Sequence, residues 1–353
     1  MDRKILFIRG AEKANKFHGL MAKAINADEF STNFNILPFP ENAGKLRYNS
    51  RIYKSIRVLK SALTLPQHYD IYLSETVFVI PVLAKLFGRI PRDSLIINIS
   101  ADPLLYNLTH LKKLSFFDNV QRVLLRYVDG FILVGNWKFL LRKLGNRRPC
   151  VEIVAGVSTS TYYSLLDLNI NKPEKHNIIF VGTVTPDRIE YKGVDILLKA
   201  FKIVKKEFPD AKLYLTGYSQ ITESTDIIYS GWKKGKDFTK IFENMSIAVN
   251  VGRGDTFPVG TIEAMLAGVP AIVSKATGTK IIVQSVDKDF VVNLNAEEVA
   301  HRIITYFNMP YKRKIILRQR FRDAAKQYKS SEAIRVFKLR WDDLLKQILL
   351  KKI

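Results

Sequence analysis

The chain has 353 residues, 47% of them hydrophobic and 25% charged, with a formal net charge of +23. That length suggests about two globular domains, the composition excludes a disordered or fibrous chain, and the single cysteine, Cys150, excludes an internal disulfide framework and any multi-cysteine metal site. So large a positive charge bears on partners (nucleic acid, an anionic membrane surface or phosphorylated substrates) and says little about fold.

Residues 1–10 offer an apolar run of only four, too short for a signal-peptide core. The apolar stretch Thr76 to Leu83 is interrupted by Pro81 and soon followed by Lys85, and no window approaches the ~18 apolar residues of a spanning helix. The expectation is a cytoplasmic location, with a peripheral place on the cytoplasmic membrane face left open. Ile5–Ile8, Ile71–Leu73, Leu95–Ile99, Phe131–Val134 and Val151–Val154 read as buried parallel strands, with helical spacing in Leu111–Val128 and Trp137–Leu144. The polar segment Asp167 to Asn177 reads as a linker. A second series follows at Ile178–Val181, Lys212–Thr216, Ile247–Val251, Ala271–Val273 and Phe290–Val292, and from Ser331 one helical stripe runs to the end. The alternation implies α/β architecture: two doubly wound Rossmann-like domains facing a cleft, over 1–166 and 178–330. A C-terminal helix over 331–353 is expected to pack back toward the first domain. Ligands in such sheets gather beyond the carboxyl ends of the strands.

The segment Val249 to Thr279 is the most informative. A strand meets the turn Gly252-Arg253-Gly254-Asp255, and Pro258 is suited to the first turn of a helix that ends before Gly268. Such a turn aims free backbone N–H groups and the positive end of a helix at a phosphate or sugar oxygen. Asp255 would precede the helix and Glu263 lie about two turns inside it; a helix cap plus a solvated Glu is the other reading. At the start of the same domain a strand ends in Gly182, a loop follows, and Lys192-Gly193-Val194-Asp195 opens a helix. This order places Arg188 or Lys192 where a cation would suit a diphosphate leaving group, or else leaves a surface lysine in a loop.

In this order the motifs resemble those of retaining glycosyltransferases of GT-B fold, the large group 1 family with an E-x7-E motif. The resemblance covers nearly the whole chain: Asp129 to Gly145, Val151 to Tyr162, Phe180-Val181-Gly182 with Lys192-Gly193-Val194-Asp195, and Asp255 through Glu263 into Ala264 to Pro270. It implies transfer of a sugar from a nucleotide diphosphate sugar with retention of configuration, with no essential metal. By position, Glu263 would bind the ribose hydroxyls and Asp255 the donor sugar. Phe257, Pro258, Val259 and Gly260 would offer amides to sugar and phosphate, Lys192 would neutralise the diphosphate, and Gly19 would belong to a Gly-rich loop near the donor phosphates. The acceptor would be lipid-linked or a glycan.

Three departures from the family pattern stand out. Thr183 occupies the usual Arg position, so Arg188 is the substitute. Ser100-Ala101-Asp102 replaces a usual His, which makes Asp102 either an acceptor-side polar group or a turn cap before Pro103. Asp255 is one methylene shorter than Glu. Glu75, just after the strand Ile71–Leu73, is either an acceptor contact or structural. Asp287-Lys288-Asp289 matches a metal motif of another fold but reads as a turn, and His18, adjacent to the Gly19 loop, is either a donor or acceptor contact or, the preferred reading, an exposed loop residue.

Residues 301–353 hold 15 Lys plus Arg against 4 Asp plus Glu, a net +11. Arg47, Arg51, Lys54 and Arg57 fall within roughly 120° of a helical wheel, with Ile52, Ile56, Leu59 and Leu63 on the other side. That helix would either lie on anionic lipid or face the core with a solvated cationic side. A nucleic-acid-binding protein is the alternative reading of the charge, but the chain lacks aromatic–basic ribonucleoprotein motifs and helix-turn-helix cues, so no nucleic acid is expected.

Overall fold

The computed structural model describes residues 3–10, 16–32, 47–75, 77–101, 103–110, 114–171, 175–184, 188–218 and 224–351, the side chains of Lys16, residues 47–54, Val184 and Tyr218 excepted. The chain divides into two compact units, Met1–Ile153 with Ile334–Ile353, and Val154–Ala333.

The first unit is built on a parallel sheet of six strands: β1 (Ile5–Arg9), β2 (Asp28–Ser31), β3 (Ile71–Glu75), β4 (Leu95–Ser100), β5 (Gly130–Val134) and β6 (Cys150–Ile153), in the order β2-β1-β3-β4-β5-β6. Every residue of β4 and β5 is buried, as a sheet covered by helices on both faces requires. Each fully buried Ile, Leu or Phe contributes about 1.5–3 kcal/mol. The order reverses at β1, between β1 and β3, so the crevice for a ligand lies beyond Arg9 and Glu75. The last part of helix Ser330–Leu350 packs onto this unit, burying Phe337, Trp341, Leu344 and Ile348. It comes so close to β5 that a Cβ on Gly130 would lie 2.6 Å from Cδ1 of Ile348.

The second unit repeats the plan with β7 (Asn177–Val184), β8 (Lys212–Tyr218), β9 (Ile227–Gly231), β10 (Ile247–Asn250), β11 (Ala271–Ser274) and β12 (Val291–Val292), ordered β12-β11-β10-β7-β8-β9 and all parallel. Here the order reverses between β7 and β10. The carboxyl ends of those two strands carry the Gly182 and Gly252–Asp255 segments.

The α/β class and the doubly wound plan of each domain are as expected, with corrections in detail. Two edge strands, β2 and β9, were not expected: three of the four residues of Asp-Glu-Phe-Ser are polar, and in β9, Ile-Ile-Tyr-Ser-Gly, the apolar run stops at three and no residue is fully buried. Phe290 lies in a 3₁₀ turn, Lys288–Phe290, ahead of a strand of only two residues. In the span expected to be helical from Leu111, the helix is Phe116–Leu124, begun by Ser115, whose Oγ accepts from the Asp118 N–H while the Asp118 carboxylate accepts from the Ser115 N–H at 3.0 Å; residues 111–113 lie outside the described residues.

The boundary between units falls at 153/154 and not within 167–177. Residues 154–166 stay with the second unit because Val157 N–H donates to Tyr328 O and Val157 O accepts from Ser330 N–H. The Tyr162 hydroxyl donates to Lys326 O at 2.6 Å. The helix Arg47–Leu63 forms, but its buried face is Val58 and Ala62; Ile56, Leu59 and Leu63, expected opposite the cationic side, are exposed. Arg47, Arg51 and Lys54 have side chains outside the described residues. No helix among the described residues is long and apolar enough to cross a membrane.

Candidate active site

The site is built where β7 and β10 part. After Asn250 the chain passes through Gly252 to Thr256 and then enters helix Val259–Leu266. This passage is tied to the turn after β11: Ser274 Oγ donates to Gly252 O at 2.7 Å, Gly254 N–H to Ala276 O at 2.9 Å, and Gly278 N–H to Asp255 O at 2.9 Å. Asp255 is thereby held buried, 5% exposed. Pro258 directly precedes the helix with φ −65° and makes no side-chain cap, so the first-turn amides of Val259 and Gly260 have no intrahelical acceptor. Gly260 is required here by close approach: a Cβ would lie 2.5 Å from Val181 O, so the helix start rests directly on β7.

The second loop comes to the same place. The short helix Ile189–Lys192 stops at Gly193, whose φ is +71°, and helix Val194–Glu207 starts beyond it. Gly193 sits against the end of β10, with the position of a Cβ only 2.0 Å from Val251 O. Arg253 N–H donates to Tyr191 O at 2.7 Å. The Arg253 guanidinium grips the Asp195 carboxylate with two bonds of 2.7 Å and also donates to Glu190 O. Such a fork is among the stronger polar contacts available to a protein. These ties set Lys192 Nζ 2.8 Å from Asp255 Oδ2, at side-chain exposures of 18% and 7%.

The structure therefore brings together Lys192 and Asp255, 63 residues apart, at the carboxyl ends of β7 and β10 beside Val259 and Gly260. Gly182 does not end its strand: β7 runs on to Val184 with an irregular register between Val181 and Val184. The Gly182 carbonyl faces Gly217, where a Cβ would lie 2.8 Å away. Phe257 is buried, its ring centroid 5.9 Å from that of Tyr328, so its main chain and not its ring is available to a ligand. Arg188 is exposed, just ahead of the short helix. Asp287 caps the turn by accepting from Asp289 N–H, and Asp289 pairs with Arg302 at 3.4 Å.

In the first unit, Asp102 lies outside the described residues. Gly19 lies within helix Lys16–Ala24 and not in a loop; the preceding residues 11–15 are outside the described residues. His18, read as an exposed loop residue, is in the same helix and buried, 3% exposed. Its Nδ1 lies 2.6 Å from Glu75 Oε1 at the end of β3, beside the switch point of that sheet. The Arg253–Asp195 fork and the His18–Glu75 pair were both missed. Each joins residues far apart in sequence, and nothing in the local pattern of either partner marks the other.

Glu263 is half-buried on the second turn of its helix, and no hydrogen bond or ion pair reaches its carboxyl among the described residues. Burial alone pushes that carboxyl from 4.5 up to about 7. A folded pKa above the unfolded one adds stability that is fully present below about pH 4.5 and lost as pH rises through about 7. The loss is at most ~3 kcal/mol and is reduced by partial exposure. Glu263→Gln is expected to be more stable than the parent chain by about 1–3 kcal/mol at pH 8.5 and no different at pH 4.5. Urea unfolding at the two pH values checks this, and an equal gain at both would contradict the assigned cause.

Comparison with known proteins adds to this geometry. Residues 175–308 match the family model described as glycosyl transferases group 1. An uncharacterized glycosyltransferase of Haemophilus influenzae is 25% identical over 166 residues, 44% of this chain and 46% of that protein. An uncharacterized glycosyltransferase of Methanocaldococcus jannaschii is 23% identical over 203 residues, 49% and 50% of the two chains. The chain thus aligns with about half the length of these curated relatives. Among solved structures, Anabaena HepE in complex with UDP-glucose superposes with a TM-score of 0.68 at 16% identity, over 97% of this chain and 100% of that one. At that identity the likeness establishes the fold: two Rossmann-like domains of GT-B type.

Proposed function

We propose, for a chain whose residues 175–308 match the glycosyl transferases group 1 family model, that it moves a sugar from a nucleotide diphosphate sugar to an acceptor with retention of anomeric configuration. The observation that carries this reading is the Lys192–Asp255 pair, set at 2.8 Å beside the open first turn of helix Val259–Leu266. A diphosphate gains negative charge as the glycosidic bond breaks, and preorganised donors at that point lower the barrier most. Lys192 supplies the ammonium, Arg188 a second cation, and the Val259 and Gly260 amides the positive helix end. Asp255 accepts hydrogen bonds from donor-sugar hydroxyls and Glu263 from the ribose.

The bond from the anomeric carbon to the acceptor oxygen forms on the face from which the phosphate departs. The leaving phosphate oxygen takes the acceptor proton. This course needs no protein nucleophile and, with cations and amides on the diphosphate, no essential metal. A lipid-linked or glycan acceptor is assigned to the first domain, with Asp102 kept as a candidate acceptor-side group on its sequence position alone. HepE has been captured with UDP-glucose, which makes UDP-sugars the first donors to try.

The test is incubation with UDP-, GDP-, ADP- and dTDP-sugars. Donor-dependent release of the nucleoside diphosphate is expected, and Glu263→Ala should abolish it. Failure of every nucleotide sugar to bind or turn over would contradict the proposal.

A further inference from the structure

The first unit contains a cavity of about 850 Å³ remote in sequence from every residue assigned above. Five cations line it, Arg122, Arg126, Arg147, Arg148 and Lys351, together with apolar Val123, Leu125 and Leu144 and no acidic residue. The cations are held by neutral acceptors. Arg126 Nε donates to Val123 O at 3.0 Å, an Arg148 guanidinium nitrogen to Arg126 O at 3.0 Å, and Lys351 Nζ to Arg147 O at 2.9 Å. Among the described residues none of the five pairs with a carboxylate, so the basin keeps its charge.

Its rim is apolar as well as basic. In helix Phe116–Leu124 and the 3₁₀ turn after it, Phe116, Asn119, Arg122, Val123 and Arg126 recur at spacings of three and four and share one face. Phe116 is 84% exposed at the head of that face, although the Ser115–Asp118 cap fixes the helix start beneath it. Helix Val79–Leu86 packs against both Phe116–Leu124 and Arg47–Leu63. These neighbours expose Leu86, Phe87, Ile56, Leu59 and Leu63. Exposed Phe116 and Val123, on the same helix face as Arg122 and Arg126 of an uncompensated basic basin, suit a surface that is anionic at its headgroups and apolar below them.

We propose that this face of the first domain docks on an anionic phospholipid bilayer, with phosphate headgroups in the Arg122–Arg147–Lys351 basin and Phe116 inserted beside them. It moves the membrane contact expected of the Arg47–Leu63 helix onto a wider face. It stands on the first domain alone, so it holds or falls independently of sugar transfer.

Vesicle sedimentation tests it. The full chain should pellet with vesicles containing phosphatidylglycerol and stay in solution with pure phosphatidylcholine. With each cation near the surface worth roughly fivefold in partition, Arg122→Ser with Arg147→Ser should weaken binding about 25-fold. Phe116→Ser should weaken it several-fold at unchanged charge, all three residues being exposed and their variants checked by circular dichroism. Unchanged partition in the double variant would overturn the proposal. So would binding that millimolar inorganic phosphate abolishes while Phe116→Ser leaves it intact, which would mark a soluble-anion site. Tighter binding to a DNA duplex, released by the same substitutions, would overturn it as well.

Discussion

Lys192→Met is expected to lower the rate of the proposed sugar transfer about 10²–10³-fold, the usual cost of removing one preorganised donor from developing negative charge, and also to destabilise the second domain. The two effects have different origins. Asp255 is 5% exposed and Lys192 is the cation 2.8 Å from it, so deleting the ammonium strands a buried carboxylate. Breaking such a pair costs about 3–5 kcal/mol. Replacing both partners removes that penalty. Lys192→Met with Asp255→Asn is therefore expected to recover most of the lost stability while transfer stays at least 10²-fold down. Thermal unfolding alongside kcat separates the two, and a double variant that regained both would show that Lys192 serves only to balance Asp255.

The second large effect concerns backbone. Gly193→Ala is expected to cost more than ~3 kcal/mol, because the residue is left-handed, at about 1–2 kcal/mol for a side chain, and its new Cβ would lie 2.0 Å from the Val251 carbonyl oxygen. Neither partner can yield: one is the junction of two helices, the other the end of a central strand. At roughly 2–4 °C per kcal/mol for a unit of this size, melting should fall by ~6 °C or more. Gly231→Ala is the matched control in the same unit, with φ +59° and nothing within 4 Å of its Cβ. It should show only the conformational cost, about 1–2 kcal/mol. Equal losses at the two glycines would mean that the Lys192 loop is not wedged against β10.

Much of the central sheet structure was readable because buried parallel strands are short apolar runs: Leu95–Ile99 and Phe131–Val134 lie inside β4 and β5 as written. Asp28–Ser31 escaped because an edge strand is held by pairing on one side and its composition need not be apolar; Ile227–Gly231 opens with the apolar run Ile-Ile-Tyr and was legible. The candidate site was legible as two segments, each with a glycine beside a charged residue. What joins them, the Gly193–Val251 contact and the Arg253–Asp195 fork, is a property of packing between residues 58 apart. The division at 153/154 was not visible in the polarity of 167–177, which marks a surface segment; residues 154–157 are held to the second unit by the bonds of Val157 to Tyr328 and Ser330. The exposure of Ile56, Leu59 and Leu63 was hidden for the same reason: helical spacing shows that a stripe exists and not which stripe faces the sheet. The charge of +23, open at first to nucleic acid, now has two particular settings, Lys192 beside Asp255 and the basin around Arg122.

Segments 188–193 and 252–260 are proposed to form a diphosphate site. Calorimetric titration of the full chain with UDP and with UMP tests it most directly. UDP is expected to bind at least tenfold more tightly than UMP, with that preference lost in the Lys192→Met and Asp255→Asn double variant. Equal affinities for UDP and UMP, or a preference that survives in the double variant, would contradict the account.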